Sequence, residues 1–456
     1  MAKVVGVDSS TQSVKVVLRD VDSGELIASA SRAHPDGTEV APEAWWQALS
    51  DALSDIKEPY DAISIAGQQH GMVALDNDGK VIRDALLWND TRSDRAAEKL
   101  NQEIPDIHER TGSKLVASFT ASKVRWLAES EKDNASKVSA VALPHDWLSW
   151  KLTGSDSVTD LFTDRSDASG TGYFDSKSNE YQRDIFAKAL LSDREVVLPK
   201  VIAPDQFGGQ TKSGTPIAAG AGDNAGAALG LGAAVGDLVI SLGTSGTAFA
   251  VSSISTHDPS GEIAGFADAT GNFLPLACTL NAAKVFATIA DTLGVSLDTF
   301  SELALAAPSG AGGLRLLPHF DGERTPNRPN ARANFQGMTH QNFTRENMAR
   351  AAIEGVVGGM VFAAEALKKT GFKANRILLI GGAAKNPAVQ AIAAEMFNSE
   401  ITIPPAGEYV ADGAARQAAW ALTGKLPNWQ IGDVKTLEPK ATSNVASDYI
   451  ELISQI

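Results

Sequence analysis

The chain reads as an α/β protein built in two related halves, and three observations carry that reading. Short apolar, β-branched runs bounded by glycine alternate with helical patterns for most of the length, as expected of a protein with buried sheets. A strand, a turn of small hydroxylated residues and a second strand occur twice, at Gly6-Val7-Asp8-Ser9-Ser10-Thr11-Gln12-Ser13-Val14-Lys15-Val16 and at Ser241-Leu242-Gly243-Thr244-Ser245-Gly246-Thr247-Ala248-Phe249-Ala250. The length, 456 residues, gives two or three domains at about 150 residues each.

Taken in order, Val4 to Val7 and Val14 to Leu18 are strands separated by a polar turn. Pro42-Glu43 opens a helix whose apolar residues Trp46, Leu49, Leu53 and Ile56 recur at spacings of three, four and three, one face of a 3.6-residue period. Ile63 to Ala66 is a strand ending at Gly67. Late in the chain, Ile377 to Ile380 is a strand, Gly381-Gly382 a turn and Pro387 to Phe397 a helix with proline at a permitted early position. No low-complexity linker separates the halves, so the repeat of the hairpin sets the division, residues 1–228 and 229–456.

Hydrophobic residues make up 43% and charged residues 21%, which excludes disordered and collagen-like classes. Asp plus Glu is 55 against 40 for Lys plus Arg, a net charge of −15. Such a field repels polyanions, so neither nucleic acid nor an anionic membrane is an expected partner. A single cysteine, Cys278, permits no internal disulfide and no multi-thiolate metal site, and a buried apolar position is expected for it. The first residues reach Asp8 before any signal-peptide core can form, and the longest apolar stretches, Ala225 to Gly236 and Gly355 to Ala364, fall short of the roughly 20 residues needed to cross a bilayer. A soluble, cytoplasmic protein is expected.

The common nucleotide fingerprints are missing. No G-x-x-x-x-G-K-[ST] run occurs, and the runs at Gly220 to Gly226 and Gly230 to Gly236 read G-x-G-x-x-x-G, one residue out of step with the dinucleotide fingerprint. The two hairpins offer another way to hold phosphates, because turns of Gly, Ser and Thr present N–H and hydroxyl groups without bulk. Asp8 in the first turn has two readings: a Mg²⁺ site, since a carboxylate beside phosphate oxygens needs an intervening cation, or a turn-stabilising Asx residue. Lys15 adds positive charge near the same phosphates.

The first turn, Gly67-Gln68-Gln69-His70-Gly71, Gly222-Asp223-Asn224, Gly243-Thr244, Glu323-Arg324-Thr325-Pro326 and Gly381-Gly382-Ala383 occur in one order. That ordered set resembles the FGGY carbohydrate kinases of the actin, hexokinase and Hsp70 superfamily, most closely the branch that phosphorylates D-xylulose. Ser118 to Glu129, containing Lys123-Val124-Arg125-Trp126-Leu127, and Ala333 to Glu354 fit the family's two signature stretches. The resemblance runs from about residue 4 to residue 424.

The resemblance implies two ribonuclease-H-like domains flanking a deep cleft, and transfer of the γ-phosphate of ATP to a hydroxyl of a ketopentose, with D-xylulose foremost and ribulose, gluconate and glycerol as alternatives. Asp223 would be the general base, since phosphoryl transfer needs an acceptor for the hydroxyl proton. Asp8 would manage Mg²⁺. Ser10, Thr11, Lys15, Gly243 and Thr244 would cradle the phosphates, and Gly381, Gly382, Ala383 and Asn386 would sit against the adenosine. Gln69, His70 and Asn224 would bind the sugar, Gln69 standing where the D-xylulose branch commonly has Met. A homodimer is common among relatives.

An ATP-driven binding protein of the same superfamily, like actin or Hsp70, would share the hairpins but has no use for Gln68 to Gly71 together with Asp223-Asn224. His34, His108, His145, His257, His319 and His340 lack ligand spacing and read as surface or core residues. The eight tryptophans read as packing, although Trp88 lies in a Leu87 to Arg92 stretch that also resembles the D-xylulose branch. Glu323 to Pro326 is expected to face the cleft.

Overall fold

Both hairpins form where the apolar runs and their turns of small hydroxylated residues place them. In the computed structural model, which describes residues 1–440 and 444–455, β1 (Lys3–Ser9) and β2 (Ser13–Asp20) pair antiparallel with Asp8 opposite Lys15. β3 (Leu26–Ala33) adds to β2, and the chain returns through α1 (Pro42–Asp55) to β4 (Ala62–Gly67), which lies parallel to β1. Every residue of β4 is buried, as expected of a parallel strand covered on both faces. Further on, α2 (Pro144–Thr153) and the short α3 (Arg165–Ala168) precede β5 (Phe207–Gln210), β6 (Pro216–Ala218) and β7 (Ala221–Gly222). The sheet order is β5-β6-β4-β1-β2-β3, with β7 also paired to β4. α4 (Asp223–Gly230) follows β7 directly.

The second sheet repeats the plan. β8 (Asp237–Leu242) and β9 (Gly246–Ala250) form its hairpin, followed by β10 (Ala264–Ala267), β11 (Phe273–Thr279) and the long buried helix α5 (Arg345–Lys369). β12 (Arg376–Ile380) then lies parallel to β8 just as β4 lies parallel to β1. After α6 (Pro387–Phe397) come β13 (Ile401–Ile403), α7 (Tyr409–Thr423) and β14 (Lys435–Leu437), giving the order β10-β11-β9-β8-β12-β13-β14.

α7 belongs to the second half by sequence, yet it packs on the first sheet. Ala411, Ala415, Ala418 and Ala419 share a buried cluster with Val4, Val17, Val21, Ala62 and Trp429. Small residues permit this approach: a Cβ on Gly6 would lie 2.8 Å from the Ala415 side chain, and one on Gly230 would lie 2.9 Å from the Gly413 nitrogen. α4 and α7 therefore cross backbone to backbone. Residues 409–423, on the far side of residue 228, help to carry the strands that end at Ser9 and Gly67.

Cys278, expected at a buried apolar position, is half-buried. It lies on β11 opposite Thr247 of β9, so only part of its side chain reaches the core. Among the described residues no helix is long and apolar enough to cross a membrane.

Candidate functional site

Three parallel strands end side by side. Ser9 of β1 is opposite Gly67 of β4, and Gly67 is opposite Gly222 of β7. In open parallel sheets this carboxyl edge is where ligands bind. Here it delivers Asp8-Ser9-Ser10, Gln68-Gln69-His70 and Asp223-Asn224 to one place.

Asp8 is buried and accepts a hydrogen bond from the Ser10 hydroxyl. Burial raises its carboxyl to about 7, with Ser10 and Lys15 opposing the rise and Asp223 and Glu408 adding to it. Lys15 itself is ion-paired with Glu408, 2.5 Å away at the start of α7. The pocket thus holds more negative than positive charge, an arrangement that suits a bound cation. Thr11 accepts a hydrogen bond from the indole N–H of Trp88 at 2.9 Å, which gives that tryptophan a polar role at the first turn. His34, read as surface or core, is buried and its Nδ1 lies 2.8 Å from the Ser10 carbonyl, bracing the same turn.

Asp223 is the first residue of α4, with Gly222 as its N-cap. Burial raises its carboxyl to about 6. The Asn224 backbone and side-chain amides oppose this, donating to Oδ1 at 2.7 and 2.8 Å. Among the described residues no hydrogen bond reaches Oδ2. Asn224 in turn accepts a hydrogen bond from Thr247 of β9, so the helix of Asp223 meets the second hairpin directly.

His70 has a positive φ of 71° and sits between Phe119 and Phe266, ring centroids 4.9 and 5.5 Å away. Phe266 lies on β10, so this histidine is walled by both halves. Burial drives its pKa down to about 3, with the Gly170 carbonyl opposing and Lys123 and Arg324 contributing. The neutral ring donates through Nδ1 to the Gly170 carbonyl, 2.5 Å away, leaving Nε2 as an acceptor. Gln69 donates its amide to the Ser166 carbonyl at 2.8 Å and packs against Gly222, where a Cβ would lie 2.7 Å from Gln69 Cγ.

On the second sheet, Gly243 and Thr244 form the tip between β8 and β9, with Thr244 exposed. Gly381 follows β12 with φ 93° and lies against Leu242, where a Cβ would be 2.6 Å from its carbonyl carbon. Gly382 is open, with no atom within 4 Å of its Cβ position, and Ala383 continues the same turn. Asn386 caps α6, its Oδ1 accepting from Ala388 N, Val389 N and Ser301 Oγ. That oxygen is committed to the helix. Glu323 is buried, accepting from Thr279 Oγ1 at 2.6 Å and from Leu280 N at 3.0 Å, so it anchors its loop to the end of β11.

The Asp164 to Gly170 segment was not singled out in the sequence. It accepts from Gln69 through Ser166 O, from the Gly222 N–H through Ser166 Oγ at 3.0 Å, and from His70 through Gly170 O. No local spacing announces that function, because each partner lies more than fifty residues away.

Residues 3–230 match the N-terminal domain of the FGGY family of carbohydrate kinases, and residues 238–422 match its C-terminal domain. The xylulose kinase of Streptomyces coelicolor is 42% identical over 441 residues, covering 92% of this chain and 88% of that protein. The xylulose kinase of Streptomyces rubiginosus is 41% identical, covering 93% and 89%. The crystal structure of xylulose kinase from Bifidobacterium adolescentis superimposes with a TM-score of 0.92 at 43% identity, over 99% of both chains.

Proposed function

The chain belongs to the FGGY family of carbohydrate kinases, and from that premise we propose that it transfers the γ-phosphoryl group of ATP to a hydroxyl of D-xylulose, forming D-xylulose 5-phosphate. The observation that supports this most directly is the meeting of Asp8, His70 and Asp223 at one sheet edge, joined to the second hairpin through Asn224 and Thr247.

In this reading Asp223 is the general base. Its Oδ1 is held by the two Asn224 donors, and Oδ2 accepts the proton of the attacking hydroxyl. A burial-raised carboxyl near 6 is ionised at neutral pH yet basic enough to take a proton in the transition state. His70, as a neutral acceptor at Nε2, takes a hydrogen bond from a sugar hydroxyl, and Gln69 and Asn224 contribute amides beside it. The residues suited to the ATP phosphates are Ser10, Thr11, Lys15, Gly243 and Thr244, and the open turn Gly381 to Ala383 is suited to the adenosine.

Asp8 would hold Mg²⁺, whose chemistry is to neutralise charge on the β- and γ-phosphates. The excess of carboxylates around Asp8 fits that ion. We assign residues 1–228 to sugar binding and residues 229–456 to ATP binding, with α7 as the crossing element, and we place the enzyme in the cytoplasm, where ATP is supplied. A panel of D-xylulose, ribulose, gluconate and glycerol in a coupled ADP-release assay tests the assignment: D-xylulose should give the highest kcat/KM, and a higher value for another acceptor would reassign the substrate.

A further inference from the structure

The segment that carries Asp223 into the cleft is pinned from beneath by three side chains from distant parts of the chain. The Gly220 N–H donates to Gln417 Oε1 at 2.8 Å, and the Gly222 N–H donates to Ser166 Oγ at 3.0 Å. His145 Nε2 lies 3.3 Å from the Ala219 carbonyl. His145, Ser166 and Gln417 are all buried. A buried N–H or carbonyl left unpaired is costly, so these contacts fix where the segment can run.

His145 is itself held. Its Nδ1 is 2.5 Å from Asp167 Oδ2 and 3.0 Å from Asp146 Oδ1, while Nε2 faces Ala219 O and, at 3.9 Å, Asp164 Oδ1. Both ring nitrogens therefore face oxygen atoms, and a proton lies between Nδ1 and Oδ2 of Asp167, whose carboxyl is pushed up to about 7 by burial. The flanking carboxylates raise the ring's pKa well above its ordinary value, against burial, which lowers it. His145, Asp146 and Asp167 have the composition of a metal site, but the geometry is that of a shared proton: two atoms bound to one cation at about 2.1 Å stand roughly 3 Å or more apart, and Nδ1 and Oδ2 do not. Asp167 connects onward, because Asp164 caps α3 by accepting from Ser166 N and Asp167 N at 2.7 and 2.9 Å. Ser166, at the centre, also accepts from Gln69.

We propose that His145, clamped by Asp146 and Asp167, is a positioning residue for phosphoryl transfer, and that with Ser166 it sets the place from which Asp223 reaches the sugar hydroxyl. It touches neither substrate nor the reacting atoms. The inference rests on the reading of Asp223 as general base. Small displacements of a base cost rate without costing affinity, and this gives the network a signature that a merely stabilising cluster lacks.

The test compares His145→Gln, Ser166→Ala and Asp223→Asn in the full-length enzyme, with kcat and both KM values from coupled ADP release and the Kd of D-xylulose from calorimetry. His145→Gln should lower kcat about tenfold or more with both KM values and the sugar Kd within twofold. Ser166→Ala, which removes the acceptor of the Gly222 N–H, should lower kcat about threefold or more with the same split. If His145→Gln does not fold, Ser166→Ala alone decides. A kcat within twofold of wild type in the folded variants, or a fall matched by equal losses of sugar affinity, overturns the proposal. Retained kcat in Asp223→Asn would instead overturn the assignment of the base, so the two failures are distinguishable.

Discussion

Thr247 donates its hydroxyl to the side-chain oxygen of Asn224 at 3.3 Å, joining the second hairpin to the residue beside the proposed base. Thr247 stands three positions beyond Thr244 at the hairpin tip, and Asn224 is the second residue of α4. The group that would take the proton and the turn that would hold the phosphates are therefore coupled by one hydrogen bond, although they come from different sheets. On the opposite wall, Ala267 N donates to Ser169 Oγ at 3.0 Å and Gly265 N to Gly112 O at 3.0 Å, so the halves also touch near His70.

Closure of the halves about these contacts is the expected response to ligands. Sugar hydroxyl and phosphorus must come within roughly 3–3.5 Å, and water must be excluded if ATP is not to be hydrolysed. Small-angle scattering with D-xylulose and a non-hydrolysable ATP analogue should give a smaller radius of gyration than the free protein. Identical curves at saturating ligand would mean that the cleft is preformed.

The raised carboxyl of Asp223 predicts the acid limb of the rate. Only the ionised form accepts a proton, and protonation sets in below about 6, so at saturating Mg²⁺ kcat should level above that pH and fall towards tenfold per unit below it. A limb centred near the ordinary carboxylate value of about 4 would show that burial does not act on this group.

Asp8→Asn removes one negative charge without changing shape. The Mg²⁺ concentration for half-maximal rate should rise at least about tenfold, while the Kd for D-xylulose stays within twofold. An unchanged Mg²⁺ titration would leave Asp8 as a turn residue held by Ser10.

His70→Ala should raise the KM for the sugar and spare that for ATP. Loss of one buried hydrogen bond costs about 1–3 kcal/mol, or roughly 5- to 150-fold in KM. Because burial keeps the ring neutral down to about 3, its contribution should be flat between pH 5 and 8. A sugar KM unmoved by the substitution would make the Gly67 to Gly71 stretch structural.

Much of this was legible because it is local. The hairpins at Gly6 to Val16 and Ser241 to Ala250 are short-range pairings, β1, β4, β12 and α6 contain the predicted segments, and α1 contains its predicted helix except Ile56, which is its extended C-cap. The ordered motifs singled out Asp8, His70 and Asp223, and the ends of β1, β4 and β7 bring them to one edge. What escaped depends on contacts distant in sequence. The packing of α7 on the first sheet needs Gly6, Gly230 and Gly413 to coincide in space. The pairing of Lys15 with Glu408 spans 393 residues. His145 looked ordinary because its carboxylate neighbour Asp167 lies 22 residues on and the segment it braces 74 residues on.

The central claim is that Asp223 takes the proton of a ketose hydroxyl. Asp223→Asn keeps the size of the side chain and the start of α4 while removing the basic oxygen. Single-turnover transfer from ATP to D-xylulose at pH 7.5 measures that step alone, with thermal melting and ATP binding as controls of the fold. The account predicts a rate at least about 100-fold below wild type, with ATP binding and melting unchanged. A rate above about a tenth of wild type would contradict it.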